Sequence, residues 1–200
     1  NKQVNMTIFY GMDGDDSERL PHLSQDGGAR EFTKMLYDLK MNMGYSVYLM
    51  SESEMRKIYN PKTAEELPYG VVATKVTPLA TLRIRVIYAD THFGNKSAKG
   101  FHYFFKEALE KESVVLYSGH SGLGRNMNLN NIEKEQGFKI NLNKNYQMIF
   151  IESCLSYSYY TQMFFDRKKS ASDKMGTKNL DMLIYAKESH GVNPELRDVV

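Results

Sequence analysis

The chain has 200 residues, 26 of them basic and 24 acidic, for a net charge of +2, a balance that leaves no broad field for nucleic acid or an anionic membrane surface. Its 42% hydrophobic and 12% aromatic content suits one packed domain over residues 1–200, and no apolar run nears the ~18 residues that span a bilayer. A single cysteine, Cys154, excludes an internal disulfide and any Cys-rich zinc or iron–sulfur site.

In chain order, Met6 to Tyr10 reads as a short strand, followed by an acidic, turn-rich loop from Met12 to Pro21. Phe32, Met35, Leu36 and Leu39 recur at helical spacing, and Gly44 is placed to stop that helix. Tyr45 to Met50 reads as a second strand. Ser51 to Pro68 is polar, a short helix and a loop. Val71 to Val76 reads as a strand or hairpin arm, and Leu82 to Ala89 as a clear strand ending at Asp90-Thr91-His92. Ser97 to Glu110 carries Phe101, Phe104, Phe105 and Leu109 on one helical face. Val114 to Tyr117 and Met148 to Ile151 are strand-like apolar runs, joined by an Asn- and Lys-rich stretch expected to form a mobile loop. Tyr159 to Phe165 begins a helix, and the cluster Tyr157, Tyr159 and Tyr160 is expected to pack it onto the sheet or to line a pocket wall. Leu180 to Ala186 is a last strand. Alternating strands and helices predict an α/β fold, a mostly parallel sheet with helices on both faces.

Ligand sites in such sheets form beyond the carboxyl ends of the strands. Asp13, Asp90, His92, His120 and Cys154 all follow expected strand ends. Most lone cysteines are small buried hydrophobes. Cys154 instead follows its strand, behind polar Glu152 and Ser153, where the chain is leaving the core. His120 sits between Gly119 and Gly122, which let backbone approach a ligand. Neighbouring parallel strands would set this imidazole beside this thiol, the arrangement that generates a thiolate nucleophile.

Tyr117-Ser-Gly-His120 followed by Glu152-Ser-Cys154 resembles the paired signatures of caspase-like cysteine peptidases, closest in motif to the metacaspase branch. The separation of 34 residues between His120 and Cys154 is short, nearer the gingipain- and legumain-like members than caspases. The resemblance implies a caspase-like three-layer sandwich and a cysteine endopeptidase. Cys154 would be the nucleophile and His120 its acid/base partner. The backbone N–H groups of Ser121 and Cys154 would form the oxyanion hole. Ser121 departs from the family glycine, which leaves the backbone there less free. Glu152 stands where metacaspases carry an acid for a basic P1 side chain, and Asp13, Asp15 and Asp16 lie where the family places a further specificity residue. The implied partner is a polypeptide substrate, with no cofactor and no nucleic acid.

Two other readings stand beside this one. The first is a catalytically silent caspase-like binding module. The second is a zinc-dependent hydrolase, with Asp90, His92, His120 and Cys154 as ligands. The basic, polar segment Asp166 to Lys178 is expected to be an exposed linker where self-cleavage could follow Arg167, Lys168 or Lys169. The chain opens on Asn-Lys-Gln and stops soon after Ala186, as a processed or partial chain would, with either an edge strand or a C-terminal partner expected to be missing.

Overall fold

The computed structural model describes residues 2–12 and 18–187. Seven strands form one sheet: β1 (Lys2–Gly11), β2 (Ser46–Leu49), β3 (Tyr69–Val76), β4 (Ala80–Ala89), β5 (Val114–Ser118), β6 (Gln147–Glu152) and β7 (Leu180–Ile184), in the order β2-β3-β4-β1-β5-β6-β7. From β4 to β7 all neighbours are parallel, while β3 is antiparallel to β4 and β2 to β3. The helices are α1 (Gly27–Tyr37), α2 (Glu52–Arg56), α3 (Lys99–Lys111), α4 (Leu129–Gln136) and α5 (Ser156–Lys168). The three-layer α/β sandwich expected from the sequence is present. Among the described residues no helix is long and apolar enough to cross a membrane.

The layers follow from side-chain alternation along the strands. Ile8 and Tyr10 of β1, with Val86, Tyr88 and Leu116, face Phe32, Met35 and Leu39. Phe9, between them, joins the opposite face with Ile87, Val115, Ile149 and Ile151, under α3, α4 and α5. Phe9 meets Phe101 and Phe105 edge-on at 5.4 and 5.7 Å, a favoured aromatic geometry. The first helix is set close to β1 by Gly28, where an added Cβ would meet the Gly11 carbonyl oxygen at 2.2 Å. Asp26 caps that helix by accepting from the Ala29 N–H at 3.1 Å. Its last turn widens between Asp38 and Met43 before Gly44, at φ 71°, releases the chain to β2.

Two sequence expectations change here. The stretch from Arg125 to Asn145 is not a mobile loop: it holds α4, whose Leu129 and Ile132 are fully buried. Its Asn128 cap and its Gly137 stop, at φ 73°, are ordinary helix punctuation. The segment from Asp166 to Lys178 is not a loose linker either. Arg167 and Lys168 belong to α5, and Arg167 donates to Glu133 of α4 at 2.6 and 3.0 Å. That guanidinium, against the opposing effect of burial, pulls the Glu133 carboxyl down to about 2. Lys168 donates to the Asn143 and Asn145 carbonyls, and the buried Asp173 carboxylate accepts the N–H groups of Gly176 and Lys178 at 3.0 and 2.9 Å. Cleavage after Arg167 or Lys168 would first require the end of a helix to unwind.

His102 of α3 is 0% exposed, with Nδ1 against the Gln136 amide at 3.0 Å. Burial pushes its imidazole down to about 4, partly offset by Asp90. The unfolded chain therefore binds this proton more readily, and stability falls as pH drops from about 6.5 to about 4. The full loss would be about 3 kcal/mol. Thermal melts across this range should show the loss in the wild type and a shallower dependence in His102→Gln.

Candidate active site

Ser118 and Glu152 are partners in the parallel pairing of β5 with β6, and the Gly119 N–H donates to the Glu152 carbonyl at 3.1 Å. His120 and Cys154 each lie two residues beyond that pair. Adjacent strands are ~4.8 Å apart, so the two residues leave the sheet next to one another at the same edge.

The loop that carries His120 is held by buried side chains. Its first residue has to be small: a Cβ on Gly119 would meet the Tyr117 hydroxyl at 2.9 Å and Gly11 Cα at 3.0 Å. The His120 carbonyl accepts from the Tyr117 hydroxyl at 2.7 Å and the Asn126 amide at 3.0 Å. The Ser121 carbonyl accepts from the Tyr160 hydroxyl at 2.8 Å and from the N–H groups of Gly124 and Asn126 at 3.1 and 3.2 Å. Asn126 Oδ1 accepts the Phe93 N–H at 3.1 Å, so one buried amide ties the His120 loop to the loop after β4. All peptide bonds among the described residues are trans, and a trans peptide points its N–H opposite its carbonyl. Because the His120 carbonyl is clamped inward, the Ser121 N–H of the same peptide is turned away from the clamp.

Cys154 is half-buried, on the turn between β6 and α5. The next residue, Leu155, has φ 51°, a left-handed conformation that costs a non-glycine residue roughly 1–2 kcal/mol. Such strain persists only where surrounding structure enforces it, and it clusters at functional sites. Here the enforcement is visible. The Leu155 N–H donates to the Lys187 carbonyl at 3.0 Å and the Tyr157 N–H to the Tyr185 carbonyl at 2.9 Å. The Ser156 hydroxyl bonds the carbonyls of Ser153, Ile151 and Tyr185 at 2.8, 3.2 and 3.2 Å. The turn thus sits at the N-terminal, partly positive end of a 13-residue helix.

Glu152 is only 2% exposed, so it is a buried carboxylate rather than a solvated strand-end acid. The hydroxyls of Ser118 and Ser153, also buried, have no hydrogen-bond partner among the described residues. Asp13, Asp15 and Asp16 lie outside the described residues.

At the end of β4, Asp90 Oδ1 accepts from the His92 backbone N–H and meets His92 Nδ1, both at 2.9 Å. Asp90 Oδ2 accepts from the Asn95 amide at 3.2 Å and from the Ser97 hydroxyl. Burial works against the Asp90 charge, but these bonds outweigh it and hold the carboxyl below its usual range. The His92 and His120 rings lie 6.2 Å apart, centre to centre. The four-ligand zinc arrangement is not assembled: among the described residues, no three His, Cys, Asp or Glu side chains converge on a point that could hold a metal. A pocket of ≈ 240 Å³ opens beside Asp90, lined also by Arg19, Glu65 and Ser97.

The sequence had suggested His120, Cys154 and Glu152, and the structure places all three at one edge. The clamp of Tyr117, Asn126 and Tyr160 was not foreseen. Its trace was the tyrosine cluster after Cys154, read as helix packing or a pocket wall, whereas Tyr160 packs and donates to the His120 loop. No protein-family model matches the chain, and no curated protein matches it.

Asn126→Ala should cost about 1–3 kcal/mol, the usual penalty for stripping partners from buried polar groups. Amide exchange should quicken around residues 119–126, while the core strands keep their protection. Unchanged exchange in that loop would mean that Asn126 is not its anchor.

Proposed function

We propose that this protein is a cysteine endopeptidase of the caspase-like kind, working through a dyad of Cys154 and His120. The observation that carries this reading is the β5/β6 register, which starts both reactive residues from the Ser118–Glu152 pair. Three further features support it. The Cys154 turn is strained and enforced, α5 presents its positive end there, and the inward His120 carbonyl leaves the Ser121 N–H directed away from the clamp.

In this reading His120 takes the proton of the Cys154 thiol, and the thiolate attacks the scissile carbonyl carbon. The Ser121 and Cys154 N–H groups hold the resulting oxyanion, a contribution typically worth ~10²–10³-fold per donor. The tetrahedral species collapses, the C–N bond breaks, and the amine leaves with the proton held by His120. Water then gives a proton to His120 and attacks the thioester. This releases the carboxylic acid and regenerates the thiol. Glu152, a buried acid two residues before the nucleophile, would select Arg or Lys at P1 by a charge-assisted contact.

Native Cys154 should react with iodoacetamide at neutral pH faster than free cysteine does. Cys154→Ala should abolish peptide hydrolysis with the fold intact, and His120→Ala should lower it ~10²–10⁴-fold. A thiol no more reactive than free cysteine, together with an inert wild type on a P1-varied peptide library, would instead fit a silent binding module.

Glu152→Lys should suppress cleavage after Arg and Lys far more than after neutral residues. A wild type that prefers Asp or Asn at P1 would remove the role given to Glu152 and leave the dyad standing.

A further inference from the structure

The Asp90-x-His92 pair was conspicuous in the sequence, is not a metal site in the structure, and has no part in the dyad chemistry described so far. We propose that His92 is a positioning residue for His120, bracing the imidazole from the side away from Cys154. This rests on the reading of His120 and Cys154 as a dyad.

The placement comes from the strand order. β4, β1, β5 and β6 are consecutive in the sheet, so the loop after β4 reaches His120 from the side opposite β6 and Cys154. His92 is immobilised before it gets there. Its backbone N–H and Nδ1 both meet Asp90 Oδ1 at 2.9 Å, and Asp90 is in turn held by Asn95 and Ser97. A carboxylate facing Nδ1 fixes the hydrogen on that nitrogen, which leaves Nε2 of the neutral ring as a hydrogen-bond acceptor. The His120 ring is 6.2 Å away, centre to centre, and tilted by 48°, a gap that one bridging water spans. Asn126 locks the spacing, because it holds both the Phe93 N–H and the His120 carbonyl. Asp90, His92, His120 and Cys154 then form a chain from fixed anion through two imidazoles to the thiol, all at one sheet edge.

Among the described residues, the charged and titratable groups around this chain include Glu152, buried beside the His120 loop where the Gly119 N–H meets its carbonyl. His102 of α3 couples to Asp90 and lies against Phe93, but it stays neutral down to about 4. Arg19 and Glu65 line the same ≈ 240 Å³ pocket as Asp90. His92 is the group whose nitrogen chemistry a substitution can remove without emptying the core.

The test is the pH–rate profile of Cys154 alkylation by iodoacetamide in the wild type, His92→Phe, His92→Gln and Asp90→Asn, with thermal melts for each. His92→Phe keeps a ring and loses the acceptor. It should slow labelling at neutral pH by ~10–100-fold, as removal of groups that orient a functional histidine does elsewhere, and displace the profile. His92→Gln places an amide near the Nε2 position and should recover most of the rate. Asp90→Asn should shift the profile in the same direction as His92→Phe. A His92→Phe profile that overlays the wild type overturns the proposal while the dyad survives. Equal slowing in Phe and Gln, matched by lower melting temperatures, would show a merely structural role and overturns it too. A wild-type thiol no faster than free cysteine removes the dyad, and the bracing role with it.

Discussion

Everything at the candidate site hangs on the pairing of β5 with β6. In a parallel ladder the side chains alternate between faces, so a one-residue slip would exchange the inside of β6 for its outside. It would also drop Cys154 one step of ~3.3 Å relative to His120. The apolar pattern forbids that slip. Val115 and Tyr117 share a face with Ile149 and Ile151 under α3, α4 and α5, while Leu116 and Phe150 take the other. Packing energy spread over many residues therefore fixes the relation between two.

The far end of the sheet is held by polar contacts. Arg85 of β4, almost fully buried, meets Glu107 and Glu112 at the end of α3, and its Nε donates to Thr7 of β1 at 3.1 Å. A buried charge without such partners would cost several kcal/mol. Gln147, the first residue of β6, donates to the carbonyls of Leu109 and Glu112, both at 2.9 Å. The start of β6 is thus fixed in height against α3, and Cys154, just past its other end, inherits that height.

Much of this was legible in the sequence. Period-two and period-3.6 patterns located β1, β4, β5, β6, α1 and α3, and the strand-end positions of His120, Cys154 and Glu152 followed from them. What escaped has physical causes. The helix α4 has eight residues and a mean hydropathy well below that of its neighbours, so its two core contacts, Leu129 and Ile132, are too few to show a period. The direction of β3, left open as a strand or hairpin arm, depends on β4 pairing along its whole length, which a linear pattern does not record. The order of the basic segment around Lys168 comes from contacts to Asn143 and Asn145, more than twenty residues away in sequence. The loop clamp is equally non-local: Tyr160 grips Ser121 from 39 positions down the chain.

The amides at the start of α5 are already occupied by the chain beyond β7, through the carbonyls of Tyr185 and Lys187. The helix therefore offers its neighbour Cys154 an electric field but no spare hydrogen bonds from Leu155 or Tyr157. The same contacts give the Cys154 turn a mechanical address. A pull on the chain at Lys187 loads Leu155, adjacent to the thiol, through one hydrogen bond, as well as β7 through the backbone. Under tension, the backbone around Cys154 would be among the first parts of the molecule to register strain.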